Sequence, residues 1–338
     1  MSAFKRGLKS VAVAALAPLA PLSWRMRSGR NLLVLTYHRV LPAGHPDRSI
    51  EQPGMYVSPE TLDLHLGLLK RHFPIVHLDD WLRSAAAGGP LPPRACALTF
   101  DDGWQDNFEY GFPVLRRHAA PATIFVVSGM TGTGLEFWPN RLARRLVRLR
   151  PDEELPEPLG RLLAPVIEHA RSAGSWSLQD LDRAVVLSKQ LGDDQLRALL
   201  DAARVEADPT AAHRTVLDEN ELRIMAASGL VRFGSHTRTH RRFRGDLQPE
   251  VLEQEIAGSR ADIAASVGNA GVAVFCYPNG DTTPAAVGAV RRHYSAAVTT
   301  RKGWYRAGTD PFLIPRIGVH EDISSRPDAF LVRIAAVL

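Results

Sequence analysis

Two adjacent carboxylates, Asp101 and Asp102, close an apolar run in Cys96-Ala97-Leu98-Thr99-Phe100-Asp101-Asp102-Gly103. The run predicts a buried strand, so the pair sits where that strand stops and the chain must turn. Like charges a few ångström apart resist ionising together unless a cation or a shared proton separates their roles. The pair therefore points to a metal ligand beside a general base. A matching signal follows about 130 residues later in Gly234-Ser235-His236-Thr237-Arg238-Thr239-His240. Histidines four apart fall on one face of a helical turn, and their ring nitrogens can converge on one ion at about 2.0–2.1 Å. With one carboxylate they make a facial set of three that leaves positions open for water and substrate, as a hydrolytic site requires. Each motif alone has an ordinary explanation, since Asp and Gly favour turns and two helix histidines can simply be solvated. Their shared context changes the weighing. Val231-Arg232-Phe233-Gly234 also reads as a short strand. Both polar sets thus lie just past a strand's C-terminal end, the edge on which parallel α/β architectures build active sites.

At this point the residues resemble a family. Thr99-Phe100-Asp101-Asp102-Gly103 and His236-Thr237-Arg238-Thr239-His240 look like the first two motifs of the polysaccharide deacetylases, the NodB-homology or carbohydrate esterase family 4 enzymes. Pro121-Ala122-Thr123-Ile124-Phe125-Val126 is similar to the family's second core strand, and Phe275-Cys276-Tyr277-Pro278-Asn279-Gly280 to its third motif. The resemblance covers roughly residues 31–138 and 219–320. It implies an α/β fold, an irregular (β/α) barrel, and a hydrolase that acts on carbon–nitrogen bonds to remove N-acetyl groups from an amino-sugar polysaccharide or oligosaccharide. By the same resemblance Asp102, His236 and His240 would hold a divalent ion, zinc before cobalt, nickel or iron, and Asp101 would be the base. The ion would polarise the N-acetyl carbonyl and acidify a water, and a backbone N–H near Tyr277 is a further candidate for the oxyanion.

Two departures from the family pattern qualify this picture. The acid histidine commonly stands in a Leu-x-His segment near the C-terminus, where this chain has Gly318-Val319-His320. Leu35-Thr36-Tyr37-His38 instead resembles the circularly shifted members, among them the biofilm poly-N-acetylglucosamine deacetylases, whose first strand supplies that histidine. His38 is therefore favoured over His320. In the third motif the arginine that orients the base aligns with Cys276, which cannot donate a charged hydrogen bond. Arg316, in Leu313-Ile314-Pro315-Arg316, is the candidate replacement. Trp138, Trp304 and Tyr277 are candidates for stacking on sugar faces, with core packing as the alternative.

The elements that must carry these residues follow a βαβ rhythm. Strands are expected at 31–40, 75–78, 96–100, 122–127, 231–234, 272–277, 295–299 and 313–319. Ser58 is read as the N-cap, and Pro59 as the first residue, of a helix presenting Leu62, Leu66, Leu69 and Phe73 on one face. Asp79 is read as the cap of the next helix. Helices are further expected at 112–118, 219–228, 250–267, 284–293 and 327–338. The rhythm breaks at Trp138, and from about 139 to 217 the chain is rich in Leu, Ala, Arg, Asp and Glu with helical spacing. A structureless loop that long is improbable, so a helical insertion is expected there, either a lid or platform for substrate or a packing decoration.

Composition sets the remaining bounds. With 338 residues, 45% hydrophobic and 23% charged, the chain is neither disordered nor fibrous. The net charge of +5 includes Arg141, Arg144, Arg145, Arg148 and Arg150, a cluster without interleaved aromatics or a reader motif, which argues against a nucleic-acid partner. Cys96 and Cys276 are the only cysteines, and both read as buried thiols. Residues 1–30 form a separate basic and apolar segment preceding the barrel at 31–338. Lys5, Arg6 and Lys9 precede an apolar stretch, Val11 to Leu22, laid out like a signal peptide but without a clean cleavage site. Trp24, Arg25, Met26, Arg27 and Arg30 continue a pattern suited to a membrane surface. Export or envelope association and a peripheral cytoplasmic location both stay open. The alternatives to N-deacetylation are an O-deacetylase or deformylase acting on a sugar, and a catalytically silent carbohydrate-binding protein of the same fold.

Overall fold

The computed structural model describes Val13 and residues 16–203, 214–245, 247–268 and 272–335. Lys5, Arg6, Lys9 and the start of the apolar stretch lie outside them. The chain divides into two compact units, one comprising 1–42, 56–132 and 216–338 and the other 43–55 and 133–215.

The first unit is a curled sheet of parallel strands surrounded by helices. Its strands are β1 (Asn31–Tyr37), β2 (Arg39–Val40), β3 (Tyr56–Val57), β4 (Arg94–Phe100), β5 (Ala122–Val126), β6 (Val231–Ser235), β7 (Val274–Cys276), β8 (Ala296–Val298), β9 (Tyr305–Arg306) and β10 (Ile317–Gly318). The main sheet runs β10-β1-β4-β5-β6-β7-β8, with β9 antiparallel on β1 and β2 pairing β3 separately. The two ends of the curl meet through one short segment. Ile314 bridges Val298 after β8, and three residues later Ile317 pairs with Leu35 of β1. The expected strand at 313–319 is thus broken into two contacts, one to each edge, with Arg316 between them.

Burial on both faces explains why β1 is a continuous apolar run rather than an alternating one. Leu33, Leu35, Cys96, Leu98 and Phe100 face a layer of helices, whereas Leu32, Val34, Ala95 and Ala97 join Phe125, Val274, Cys276 and Val298 in an inner cluster. The helix Leu78–Ala86 contributes Leu78, Trp81 and Leu82 to that inner cluster. Beside these large side chains, position 234 has room only for glycine. A Cβ on Gly234 would lie 2.5 Å from the Phe125 ring and 2.6 Å from the Val274 carbonyl oxygen. Continuing the two-residue period of β4 past Ala95 and Ala97 brings Thr99 and then Asp101 to the inner face.

Local signals succeed at most of the helices. Ser58 accepts a hydrogen bond from the Thr61 N–H at the head of Pro59–Lys70, and Leu62, Leu66, Leu69 and Phe73 are all buried. Three expectations change. Residues 75–78 make only an isolated bridge, Ile75 to Cys96, because Leu78 already begins a helix. That helix has His77, not Asp79, at its N-cap, and Asp79 sits in the first turn paired with Arg232. Trp24, read as part of a membrane-facing pattern, is buried in the helix Ala20–Arg25 against Phe73. No helix among the described residues is long and apolar enough to cross a membrane.

The second unit holds the helices Trp138–Val147, Leu159–Ala173, Leu178–Ser188 and Asp193–Ala202 around Leu142, Leu146, Leu163, Leu181, Val185, Leu196 and Leu200. A segment from before the helical stretch belongs to it. Ile50 joins that core, and Glu51 accepts a hydrogen bond from the Asn140 amide at 3.0 Å.

Candidate active site

The two carboxylates are separated by the backbone. Asp101 extends the β4 ladder, its N–H donating to the Tyr37 carbonyl at 3.0 Å. Asp102 then adopts φ +76° and Gly103 φ +73°. Two successive left-handed residues turn the chain sharply, a conformation that Asp tolerates and Gly adopts freely. The pair consequently faces different partners.

Asp102 faces the histidines. Its Oδ1 lies 3.4 Å from His236 Nε2 and 3.5 Å from His240 Nε2, and its Oδ2 accepts the Trp104 indole N–H at 3.0 Å. His236 extends β6 through its N–H to the Val126 carbonyl, and its Nδ1 is 2.8 Å from the Cys276 carbonyl oxygen. A carbonyl only accepts, so Nδ1 carries a proton and Nε2 is the ring nitrogen that faces Asp102. Burial pushes the Asp102 carboxyl up, but the His236 hydrogen bond and the neighbouring imidazoles outweigh it and hold the group well below the usual carboxylate range.

The histidines do not share a helical turn. Residues 236–240 form an irregular loop in which Thr237 and His240 adopt φ +67° and +58°. Its rings nonetheless converge, with centroids 4.9 Å apart. Other elements replace the hydrogen bonds a helix would have supplied. The Ser128 and Gly129 N–H groups donate to the Thr237 and Arg238 carbonyls, and the Glu255 carboxylate accepts from the Arg238 and Thr239 N–H groups, each at 3.0 Å.

Asp101 faces a cation. Arg316 Nη1 and Nη2 lie 2.7 and 2.8 Å from its two oxygens, a bidentate pair in which both side chains are buried. The same guanidinium donates to the Thr299 carbonyl and the Thr99 hydroxyl and lies 3.2 Å from Cys276 Sγ. Burial raises the Asp101 carboxyl, and the Arg316 charge and hydrogen bonds reverse that shift and keep it ionised. Burial also raises the Cys276 thiol, which stays protonated. His38 Nε2 stands 3.9 Å from Asp101 Oδ2, on the side chain that follows β1.

Among the described residues two groups of three could hold an ion by proximity, Asp102 with His236 and His240, and Asp101 with His236 and Cys276. The Arg316 guanidinium already places a positive charge against Asp101 and Cys276, which disfavours a cation there. The ligand atoms of the first group all lie within 4.8 Å of one another. One carboxylate and two imidazoles suit a divalent transition metal, and Trp104 and the Cys276 carbonyl fix the orientations of Asp102 and His236.

The remaining sequence candidates have other partners, although His320 is near enough to His38 to feel its charge. Tyr277 is fully buried among Phe243 and Phe275, and its N–H is engaged by the Val298 carbonyl at 3.3 Å, so neither ring nor amide is offered to a substrate. His320 caps the helix Glu321–Ser324, with Nδ1 3.3 Å from Asp322. Trp304 is buried and donates to the Ile334 carbonyl, and Trp138 packs on the core of the second unit. Glu255 and Trp104 were not singled out by sequence reasoning. Glu255 carries a signal, a carboxylate on the otherwise apolar face of a helix that also buries Leu252, Ile256 and Ile263.

A profile of the polysaccharide deacetylase family matches residues 88–162 and 190–297. The chain belongs to that family, hydrolases acting on carbon–nitrogen bonds, and deacetylates a polysaccharide. Solved structures share the fold. The Streptococcus pyogenes deacetylase PplD, in complex with acetate, aligns with a TM-score of 0.60 at 15% identity over 91% of this chain and 99% of that one. IcaB from Ammonifex degensii aligns with a TM-score of 0.58 at 20% identity, covering 91% and 99%. A de-N-acetylase from Aggregatibacter actinomycetemcomitans gives 0.54 at 16% identity, covering 86% and 95%. A comparison with curated protein sequences finds no match.

Proposed function

We propose that the protein is a metal-dependent de-N-acetylase of an amino-sugar polymer, with Asp102, His236 and His240 as ligands of a divalent ion, zinc first among cobalt, nickel and iron. The observation that carries this reading is the division of labour between the two carboxylates, Asp102 within 3.4 and 3.5 Å of two imidazole nitrogens and Asp101 locked to Arg316. The ion supplies Lewis acidity, polarising the acetyl carbonyl and lowering the pKa of a water.

The chain's own groups carry the protons. Asp101 accepts the proton of the attacking water. Each of its oxygens retains a lone pair beyond the one taken by Arg316, and the fork fixes the carboxylate plane. A carboxylate held this acidic is a weak base, so it serves only for a water that is itself acidified. His38, adjacent to Asp101, is placed to protonate the leaving amine. Collapse of the tetrahedral species then releases acetate and a free amino sugar. Membership of IcaB and the de-N-acetylase among the fold's relatives supports an N-acetylated sugar polymer as substrate.

The test is product analysis on N-acetylglucosamine oligomers, with metal added or chelated. Equal amounts of acetate and free amine, lost on chelation, are expected. No release from these oligomers, with acetate freed without amine from O-acetylated counterparts or formate freed from N-formylated ones, would overturn the reading in favour of O-deacetylation or deformylation.

A further inference from the structure

The histidine loop is the least self-sufficient part of the site. Two of its non-glycine residues, one of them His240, occupy left-handed backbone conformations, and it has no helical hydrogen-bond ladder. Its geometry must be imposed from outside. The carbonyl side is held by Ser128 and Gly129, where close approach excludes a side chain, since a Cβ on Gly129 would stand 2.6 Å from the Arg238 carbonyl oxygen. The N–H side is met by the Glu255 carboxylate. Glu255 Oε2 accepts from both the Arg238 and Thr239 N–H groups at 3.0 Å, and Oε1 accepts from the Thr239 hydroxyl at 2.7 Å. Glu255 is buried, and it lies in a π-helical turn, Gln254–Gly258, that interrupts the helix running from Pro249 to Val267. Such turns recur where a helix must aim a side chain at a functional site.

We infer that Glu255 is a positioning residue for the metal-ligand loop. It clamps Arg238 and Thr239, which precede His240, so that both imidazoles reach Asp102 before any ion arrives. The ion then meets a formed site instead of ordering a mobile one, which raises affinity without adding a ligand. The role depends on acceptor geometry more than on charge. Glutamine at 255 retains a carbonyl oxygen for the two N–H groups and an amide for the Thr239 hydroxyl, whereas alanine retains neither. Asp262 on the same helix is an internal control, because it binds the Arg238 side chain and the Ser128 hydroxyl, whereas the Arg238 and Thr239 N–H groups donate to Glu255.

This inference rests on the metal site proposed above, and the experiment separates the two. Zinc dissociation constants would be measured by chelator competition on the purified full chain for the parent, Glu255→Ala, Glu255→Gln and Asp262→Asn, alongside amide exchange of the 236–240 segment without metal. Glu255→Ala is expected to weaken zinc binding about 10–100-fold and to speed exchange at Arg238 and Thr239 by a similar factor. Glu255→Gln and Asp262→Asn should stay within about threefold of the parent in both readouts. Parent-like affinity and exchange in Glu255→Ala, or equal damage from Gln and Ala, would overturn the inference. If the parent itself takes no zinc, the metal reading fails, and exchange of the loop alone still decides whether Glu255 clamps it.

Discussion

Arg316 grips Asp101 through two parallel hydrogen bonds of 2.7 and 2.8 Å, although the two residues stand 215 positions apart in the chain. The fork does two things at once. It compensates a carboxylate buried to 3% exposure, and it fixes the plane from which that carboxylate meets its proton donor.

Removing the fork while keeping bulk should therefore change both rate and pH profile. In Arg316→Met the burial of Asp101 is opposed by the neighbouring His236 and His38 without the guanidinium, so its pKa rises. Because the base must be ionised, the acidic limb of kcat/KM should move to higher pH, with a destabilisation of about 3–5 kcal/mol by chemical denaturation. Arg316→Lys keeps a charge without the fork and should recover part of the stability and less of the rate. An unmoved acidic limb would remove Arg316 from the control of Asp101.

The two carboxylates should fail differently. Asp102→Ala is expected to lose bound metal and activity together, read by elemental analysis and amine release. Asp101→Asn should keep the metal and lose turnover by about 10²–10⁴-fold. Full metal content in the first variant, or substantial turnover in the second, would reverse their assignment.

His38 should matter in proportion to the basicity of the leaving group. His38→Gln is expected to reduce kcat/KM on an N-acetyl sugar by about 10²–10⁴-fold, and much less on an aryl acetate whose leaving phenolate needs no proton. His320→Gln, altering a residue turned toward Asp322, should change neither rate by more than about threefold. Equal losses on both substrates in His38→Gln would indicate a binding role.

A histidine remote from the chemistry should set the acid stability. His65 is fully buried, with Nε2 2.7 Å from the Ser324 carbonyl and its ring stacked on Phe330, and burial lowers its pKa to about 4. Its folded pKa lies below the unfolded value of about 6.5, so the unfolded chain binds the extra proton. The stability is complete above pH 6.5 and declines as pH falls toward 4, by up to about 3 kcal/mol. Urea titrations across this range should show the decline in the parent and a flatter profile in His65→Gln, which is less stable at neutral pH. Identical slopes in the two proteins would assign the loss to other groups.

The sequence was most informative where chemistry is local. The Asp101-Asp102 turn, the capped helix after Ser58 and the apolar run of β1 carry their signals within a few residues. The fold class follows from such signals in series. Sequence reading failed where geometry is imposed from a distance. His236 and His240 have helical spacing, yet their loop conformation depends on Glu255 and on Ser128 and Gly129, which sit on other elements. Tyr277 belongs to a motif, but the two-residue period of β7 sends it to the helix-covered side, whereas Cys276 faces inward. The inclusion of residues 43–55 with the helical unit has no local signal, because Glu51 and Asn140 are far apart in sequence.

The seam of the curled sheet has a bearing on when the protein becomes competent. Ile314 joins the edge at Val298, Ile317 joins the edge at Leu35, and Arg316 lies between them. A nascent chain synthesised as far as Val298 already contains Asp101, Asp102, His236 and His240, but not the cation that keeps Asp101 charged in a buried setting. Both carboxylates and both histidines are thus delivered to the cell before they can work together, and competence arrives with the final stitch that draws the first strand and the eighth into one wall.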